Sequence, residues 1–323
     1  MRELLADYYN IHARENIIVN GREGFKQDNF LYFTISADFR EIIHMEQAAT
    51  AYFLVENNYT QVAYPIQNVN GDWFTRYQGN HYLVLKAAFA ASGQRKSEGK
   101  ALADLHLAGL DYPYEPREIS SYGQWKQLWI DKLTAFENKI MLDAEEAFDE
   151  WSLLLADTLP YIVGISENAI QYMQESEGEK RFAEVDQGTV CLRRYSEKLA
   201  DGFVWTNDLV YDHPARDLAE HIRHNLLQVN DPLNKIRDFL NEYQEKRQLS
   251  VFSWRLIYAR LIFPIHLFDA IERGFSNSED TQRVREMRDL LERQADYERR
   301  LGQFFDEAGV DCERLEIPVL HWL

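Results

Sequence analysis

The chain has 323 residues, long enough for two domains or lobes and a sizeable core. Hydrophobic residues make up 46% and charged residues 27%, a globular balance that excludes disorder and low complexity. Its 35 basic side chains against 53 acidic ones leave a formal charge of −18, which repels nucleic-acid phosphates and anionic lipid, so neither is an expected partner.

The opening run Met-Arg-Glu-Leu-Leu-Ala-Asp-Tyr-Tyr is interrupted by charge, so no signal peptide is expected from it. Ile17–Val19 leads into Asn20-Gly21, a pair that tolerates positive φ and predicts a tight hairpin. Phe30–Ile35 is an apolar, aromatic run of strand length. Residues 38–57 then read as a helix, with Asp38 as N-cap, Glu41 three residues on, and Ile42, Met45, Ala49 and Phe53 at helical spacing. Val62–Val69, Trp73–Tyr77 and His81–Leu85, separated by Asn70-Gly71 and Gly79-Asn80, predict a three-stranded meander.

Beyond Lys86 the pattern turns helical. Residues 87–97 read as a connector and Gly99–Leu107 as a short helix. Trp129, Leu133, Phe136, Ile140, Ala144, Ala147, Trp151 and Leu154 recur every three or four residues. They predict one long amphipathic helix, or two end to end, over 122–156, with this stripe in the core and the acids on a solvated face. Ser166–Gln174 continues in helix; Thr189–Leu192 and Gly202–Trp205 are short extended runs. Ala215–Leu227, Pro232–Tyr243, Ser253–Arg273 and Thr281–Phe305 are predicted helices. The greasiest stretch, Leu256–Phe268, contains Arg260, Pro264 and His266, so no membrane span is expected there. Two cysteines, Cys191 and Cys312, form no Cys-x-x-Cys, which argues against a disulfide framework or a thiolate zinc site. The apolar tail Leu315–Leu323 either docks on the helical part or serves as a partner-binding peptide.

A small antiparallel sheet with one helix over residues 1–90, followed by a mainly helical region over 91–323, is the order of an α+β, protein-kinase-like bilobal fold, its N-lobe and C-lobe meeting near Lys86–Ser92. The segment Tyr211-Asp212-His213-Pro214-Ala215-Arg216-Asp217-Leu218-Ala219-Glu220 sharpens this. It resembles the Asp-x-Pro-x-Arg-Asp-Leu stretch that opens a helix after the metal loop in the aminoglycoside phosphotransferase and choline kinase-like group. Gly99–His106 looks like the first large-lobe helix of that group, and Leu256–Phe268 like its buried late helix. Over nearly its whole length the chain resembles the spore-coat branch, the YutH-type endospore coat-associated proteins of spore-forming bacilli.

The resemblance implies phosphoryl-transfer positions that can be inspected one by one. Such catalysis needs held phosphates, metal charge against them, and a carboxylate that orients or deprotonates the attacking hydroxyl. The base belongs in a His-x-Asp loop, yet no His-x-Asp occurs, and Cys191-Leu192-Arg193-Arg194-Tyr195 puts Arg194 at that place. A guanidinium stays protonated and cannot accept the proton. The metal-binding Asp-x-Asp corresponds to Trp205-Thr206-Asn207. An indole offers magnesium no oxygen; Asn207 offers one neutral oxygen, and Asp208 one carboxylate after a one-residue shift. No lysine lies in Phe30–Ser36, Lys26 precedes that strand, and no Gly-x-Gly-x-x-Gly occurs. Without the lysine, Glu41 and Glu46 read as solvent-facing or capping acids.

Asp212, Pro214, Arg216 and Asp217 are expected to be structural loop and helix-start residues, since a carboxylate there satisfies free backbone amides. His213, His221 and His224 lack a third ligand at useful spacing, so a metal site is the weaker reading. Together these positions imply a kinase-like protein without catalytic residues, metal or cofactor, acting as a structural or interaction part of the spore coat. It would be made in the mother-cell cytoplasm and would meet other coat proteins. Two alternatives stay open. One is a small-molecule kinase whose metal is held by Asp208 or Asp212. The other is a metal-independent binder in which Arg193 and Arg194 hold an anion.

Overall fold

The structure, a computed structural model, describes residues 1–37, 40–88, 96–146, 149–179, 181–195, 199, 203–229, 232–276 and 280–320. Asp38, the expected N-cap, and much of the expected lobe connection at 86–92 lie outside them. The chain forms two compact units.

The first unit comprises Met1–Tyr122, Gln187–Pro214 and Glu242–Arg247. Strands β1 (Glu15–Val19), β2 (Arg22–Gln27), β3 (Phe30–Ser36), β4 (Val62–Ile66), β5 (Thr75–Tyr77), β6 (Asn80–Ala88) and β8 (Val204–Trp205) make a seven-stranded sheet. Its order is β1-β2-β3-β6-β4-β8, with β5 also paired to β6. The first hairpin turns at Asn20-Gly21, whose φ values of 50° and 77° are the positive pair expected there. The meander is corrected. β4 and β5 do not pair with each other; both lie along β6, whose tight turn uses Gln78-Gly79 rather than Gly79-Asn80. The Asn68 side chain explains why the chain leaves the sheet early, since its Oδ1 accepts from the Asn70 and Asp72 amides at 2.9 and 3.0 Å.

Helix α1 (Arg2–Tyr9), absent from the sequence reading, buries Leu4 and Leu5 against Tyr32 and Val84 on one face of this sheet. The other face carries Leu31, Phe33, Leu83 and Leu85. Helix α2 (Glu41–Glu56) forms where expected but turns a different face inward. Gln47, Thr50, Ala51 and Leu54 are buried, whereas Ile42 and Met45 are 66% and 42% exposed. Helix α3 (Glu98–Ala108) matches its prediction, and β7 (Thr189–Leu192) pairs antiparallel with β9 (Leu209–Asp212).

The second unit comprises Gly123–Asp186, Ala215–Asn241 and Gln248–Leu323. The predicted 122–156 stretch is the two-helix alternative, α4 (Trp125–Glu146) and α5 (Glu150–Gly178), packed against each other rather than end to end, and α5 runs on through Pro160 to absorb the expected 166–174 helix. Of the predicted stripe, Trp129, Leu133, Phe136, Ile140 and Trp151 are buried and Leu154 is half-buried, with Trp129 stacked on Phe263 at 4.6 Å; the Ala144 and Ala147 side chains lie outside what the structure describes. Trp151 lies so close to Gly274 that a Cβ there would meet its ring at 2.3 Å. Helices α6 (Ala215–Gln228), α7 (Leu233–Gln244), α8 (Val251–Ile262), α9 (Ile265–Ser276) and α10 (Asp280–Gly302) follow. The predicted 253–273 helix is two, broken at Pro264 as its missing N–H requires. By length and composition Val251–Ser276 is apolar enough to cross a membrane, but 83% of its most apolar 18-residue window is buried inside the protein. The described part of the tail, residues 315–320, docks on this unit, and 321–323 lie outside the described residues. Ile317 is buried, the Tyr172 hydroxyl donates to the Pro318 carbonyl at 2.8 Å, and the Leu320 amide donates to the Tyr258 hydroxyl at 3.3 Å.

Candidate functional site

The expected catalytic positions fall within the first unit, around Trp205. Strand β8 adds in parallel to β4, pairing Val62 with Val204 and Ala63 with Trp205. That register aims the indole at the sheet face bearing Phe33. The two rings meet edge to face at 4.7 Å, Phe203 lies 6.5 Å away, and only 6% of Trp205 is exposed. Phe33 belongs to β3, the strand where the family resemblance would put a phosphate-holding lysine. Lys26 lies instead in β2, 3.5 Å from Glu15.

Arg22, placed by the Asn20-Gly21 turn, covers the indole with its guanidinium 4.5 Å from the ring centre. Its two terminal nitrogens donate to Asn207 Oδ1 at 2.8 Å and Asp208 Oδ2 at 2.9 Å. Bonds to backbone carbonyls hold the same segment. The Thr206 hydroxyl donates to the Ala63 carbonyl, and the Arg193 amide donates to the Asp208 carbonyl at 2.7 Å. Gln47 of α2, almost wholly buried, donates to the carbonyls of Asn207 and Leu209 at 3.1 and 3.2 Å. Burial pushes the Asp208 carboxyl above its ordinary range, opposed by the positive charges of Arg22 and Arg193. A metal ion at Asp208 would have to compete with the Arg22 ion pair.

Arg194 sits in the bend after β7 and lines a recess of about 180 Å³ together with Arg22, Tyr195, Phe203 and Trp205. Small-molecule sites usually occupy about 300–1,000 Å³. Arg193 is exposed beside it. Neither Arg22 nor Gln47 was singled out from sequence; the only available signals were a basic residue directly after a hairpin turn and a polar residue within an apolar helix.

Among the described residues Glu46 has no lysine partner. Its carboxylate instead accepts three backbone amides, from Arg117 and Glu118 at 2.9 Å and from Ile119 at 3.1 Å. Asp212 is fully buried and accepts from the Ser121 hydroxyl and the His213 amide, each at 2.7 Å. Pro214 is also buried. In the second unit Arg216 and a wholly buried Asp217 lie in the first turn of α6. His221 is buried and stacked on Phe239 at 3.5 Å, whereas His224 is exposed, so the pair shares no pocket.

A family model described as "Spore coat putative kinase YutH" matches residues 2–304. The endospore coat-associated protein YutH of Bacillus subtilis (strain 168) is 32% identical over 341 residues, covering 99% of this chain and 97% of that protein. Among solved structures, an aminoglycoside phosphotransferase from Alicyclobacillus acidocaldarius aligns with a TM-score of 0.61 at 12% identity, over 92% of this chain and 93% of that one. A spectinomycin phosphotransferase bound to ADP and spectinomycin gives 0.55 at 13% identity, over 90% and 92%. A microcompartment-associated aminopropanol kinase gives 0.54 at 10% identity, over 96% and 98%. At such low identity these structures establish the fold alone, and it is the kinase-like fold expected from the order of elements.

Proposed function

The chain belongs to the spore coat putative kinase YutH family, and from that premise we propose that it is a catalytically degenerate member, a structural or interaction component of the bacterial endospore coat. The observation that carries this reading is the Trp205–Phe33 contact. On this reading the indole takes the place of a metal-binding carboxylate, and Phe33 lies in the strand from which the phosphate-holding lysine would come. Arg194 cannot act as a base, so the roughly 10²–10⁴-fold rate that a positioned base supplies is unavailable from that position. On this reading Asp212, Pro214, Arg216 and Asp217 are framework, no cofactor is needed, and the partners are other coat proteins met after synthesis in the mother-cell cytoplasm. The reading keeps a kinase-like N-lobe over residues 1–90 and a helical C-lobe over 91–323.

Thermal unfolding with and without millimolar Mg-ATP tests it. A ligand at 100 times its Kd stabilises the folded state by about 2.7 kcal/mol, and no shift is expected here. A magnesium-dependent shift abolished by Asp208→Asn would establish a kinase with a relocated metal ligand and overturn the proposal. So would ATP turnover with a hydroxyl substrate well above an Arg194→Ala control.

The recess beside Trp205 favours one second reading, a metal-independent anion binder using Arg194 with Arg193 or Arg22. It predicts that inorganic phosphate binds in EDTA and that Arg194→Ala abolishes the binding.

A further inference from the structure

The α4–α5 pair has an open face. Along α4, Ile130, Thr134, Glu137 and Met141 recur three or four residues apart and form a single stripe. Ile130 and Met141 are 37% and 59% exposed despite being apolar. Between this stripe and Glu167, Ile170 and Gln171 of α5 runs a groove of about 710 Å³. Buried Leu133 forms its floor, and Glu137, Glu167 and Glu175 stand along it. Among the described residues no lysine or arginine lines it. The neighbouring cations of α4 are engaged elsewhere: Lys132 pairs with Glu272 and Lys139 with Asp143. Among the described residues Glu137 and Glu167 have no cationic partner of their own.

We propose that this groove docks a basic amphipathic helix of a partner protein. The helix would lay its apolar stripe on Ile130, Leu133 and Ile170 and its lysines or arginines against Glu137 and Glu167. The part of α4 that lines the groove, Ile130–Glu137, spans about two helical turns, a length that such a segment covers. Charge selects the occupant. Nucleic acid and anionic membrane are repelled by the three acids, and a second copy of this chain would bring −18 against −18. The inference gives a chemistry to the coat partner proposed above and rests on that reading for its biological use, but the binding stands or falls separately.

The test is fluorescence anisotropy with the full chain and a labelled leucine–lysine peptide of about four helical turns. Saturable binding that weakens with salt is expected. Glu137→Lys with Glu167→Lys should raise Kd at least about fivefold. Ile130→Asp should raise it as well. Glu292→Lys with Asp296→Lys on α10 makes the same change in charge outside the groove and should leave Kd unaltered. Absence of binding, or equal weakening by the two double reversals, overturns the groove. A fluorescent fusion in sporulating cells separates the two claims: a wild-type fusion missing from the coat overturns the proposed function while leaving peptide binding untouched.

Discussion

Trp205→Ala tests the contact on which the functional reading rests. A tryptophan side chain of about 200 Å², 6% exposed here, contributes about 4–5 kcal/mol at about 25 cal/mol per Å² of buried surface. That is an upper figure, because the unfolded chain already hides part of the ring. The edge-to-face contact with Phe33 adds about 0.5–1.5 kcal/mol, and the Arg22 guanidinium over the indole about 0.5–1 kcal/mol. Large core truncations of this kind cost about 3–5 kcal/mol, so that loss is expected in the first unit. The Val204–Gln61 backbone bond survives the substitution, so β8 itself should persist. Amide hydrogen exchange of β3, β4 and β8 reads the local opening free energy directly. A Phe33→Leu partner in a double-mutant cycle should return a coupling of about 0.5–1.5 kcal/mol. A loss below about 1 kcal/mol, with no coupling to Phe33, would mean that the indole does not fill this space, and the argument for degeneracy would fall with it.

Glu46→Ala strips the Arg117, Glu118 and Ile119 amides of a shared charged acceptor and should cost about 1.5–3 kcal/mol, read as faster exchange of those three amides. His266 is held neutral, its pKa pushed down to about 3 from 6.5, chiefly by burial. The unfolded chain takes up that proton first, so the contribution is whole above pH 6.5 and is lost as pH falls toward 3. The loss runs at up to about 1.4 kcal/mol per pH unit, and His266→Gln should flatten that limb of the urea midpoint against pH. Arg22→Ala removes an opposing charge from Asp208, whose carboxyl should then rise further. A raised carboxyl gives stability that is present below its unfolded value and lost as pH rises through the folded one. The variant should therefore lose more stability than the wild type between acidic and neutral pH, measured by thermal melts.

Much of this was legible because it depends on properties of single residues or of short-range spacing. Asn20-Gly21 turns a hairpin because both residues accept positive φ. Trp129, Leu133, Phe136 and Ile140 are core because their period matches a helix face. The missing His-x-Asp and the lysine-free Phe30–Ser36 are read by inspection, as is the Tyr211–Glu220 segment that pointed to the family.

The rest depends on partners far away in the chain. Helix α1 has eight residues, too few to hold by propensity, and exists because Leu4 and Leu5 find Tyr32 and Val84. Helix α2 shows Ile42 and Met45 to solvent because the Gln47 amide must reach carbonyls 160 and 162 residues away. Composition alone established that an indole at position 205 cannot bind magnesium. That the ring packs against Phe33 under the Arg22 guanidinium was decided by β8 joining β4 in parallel, a pairing that the local pattern of neither strand encodes.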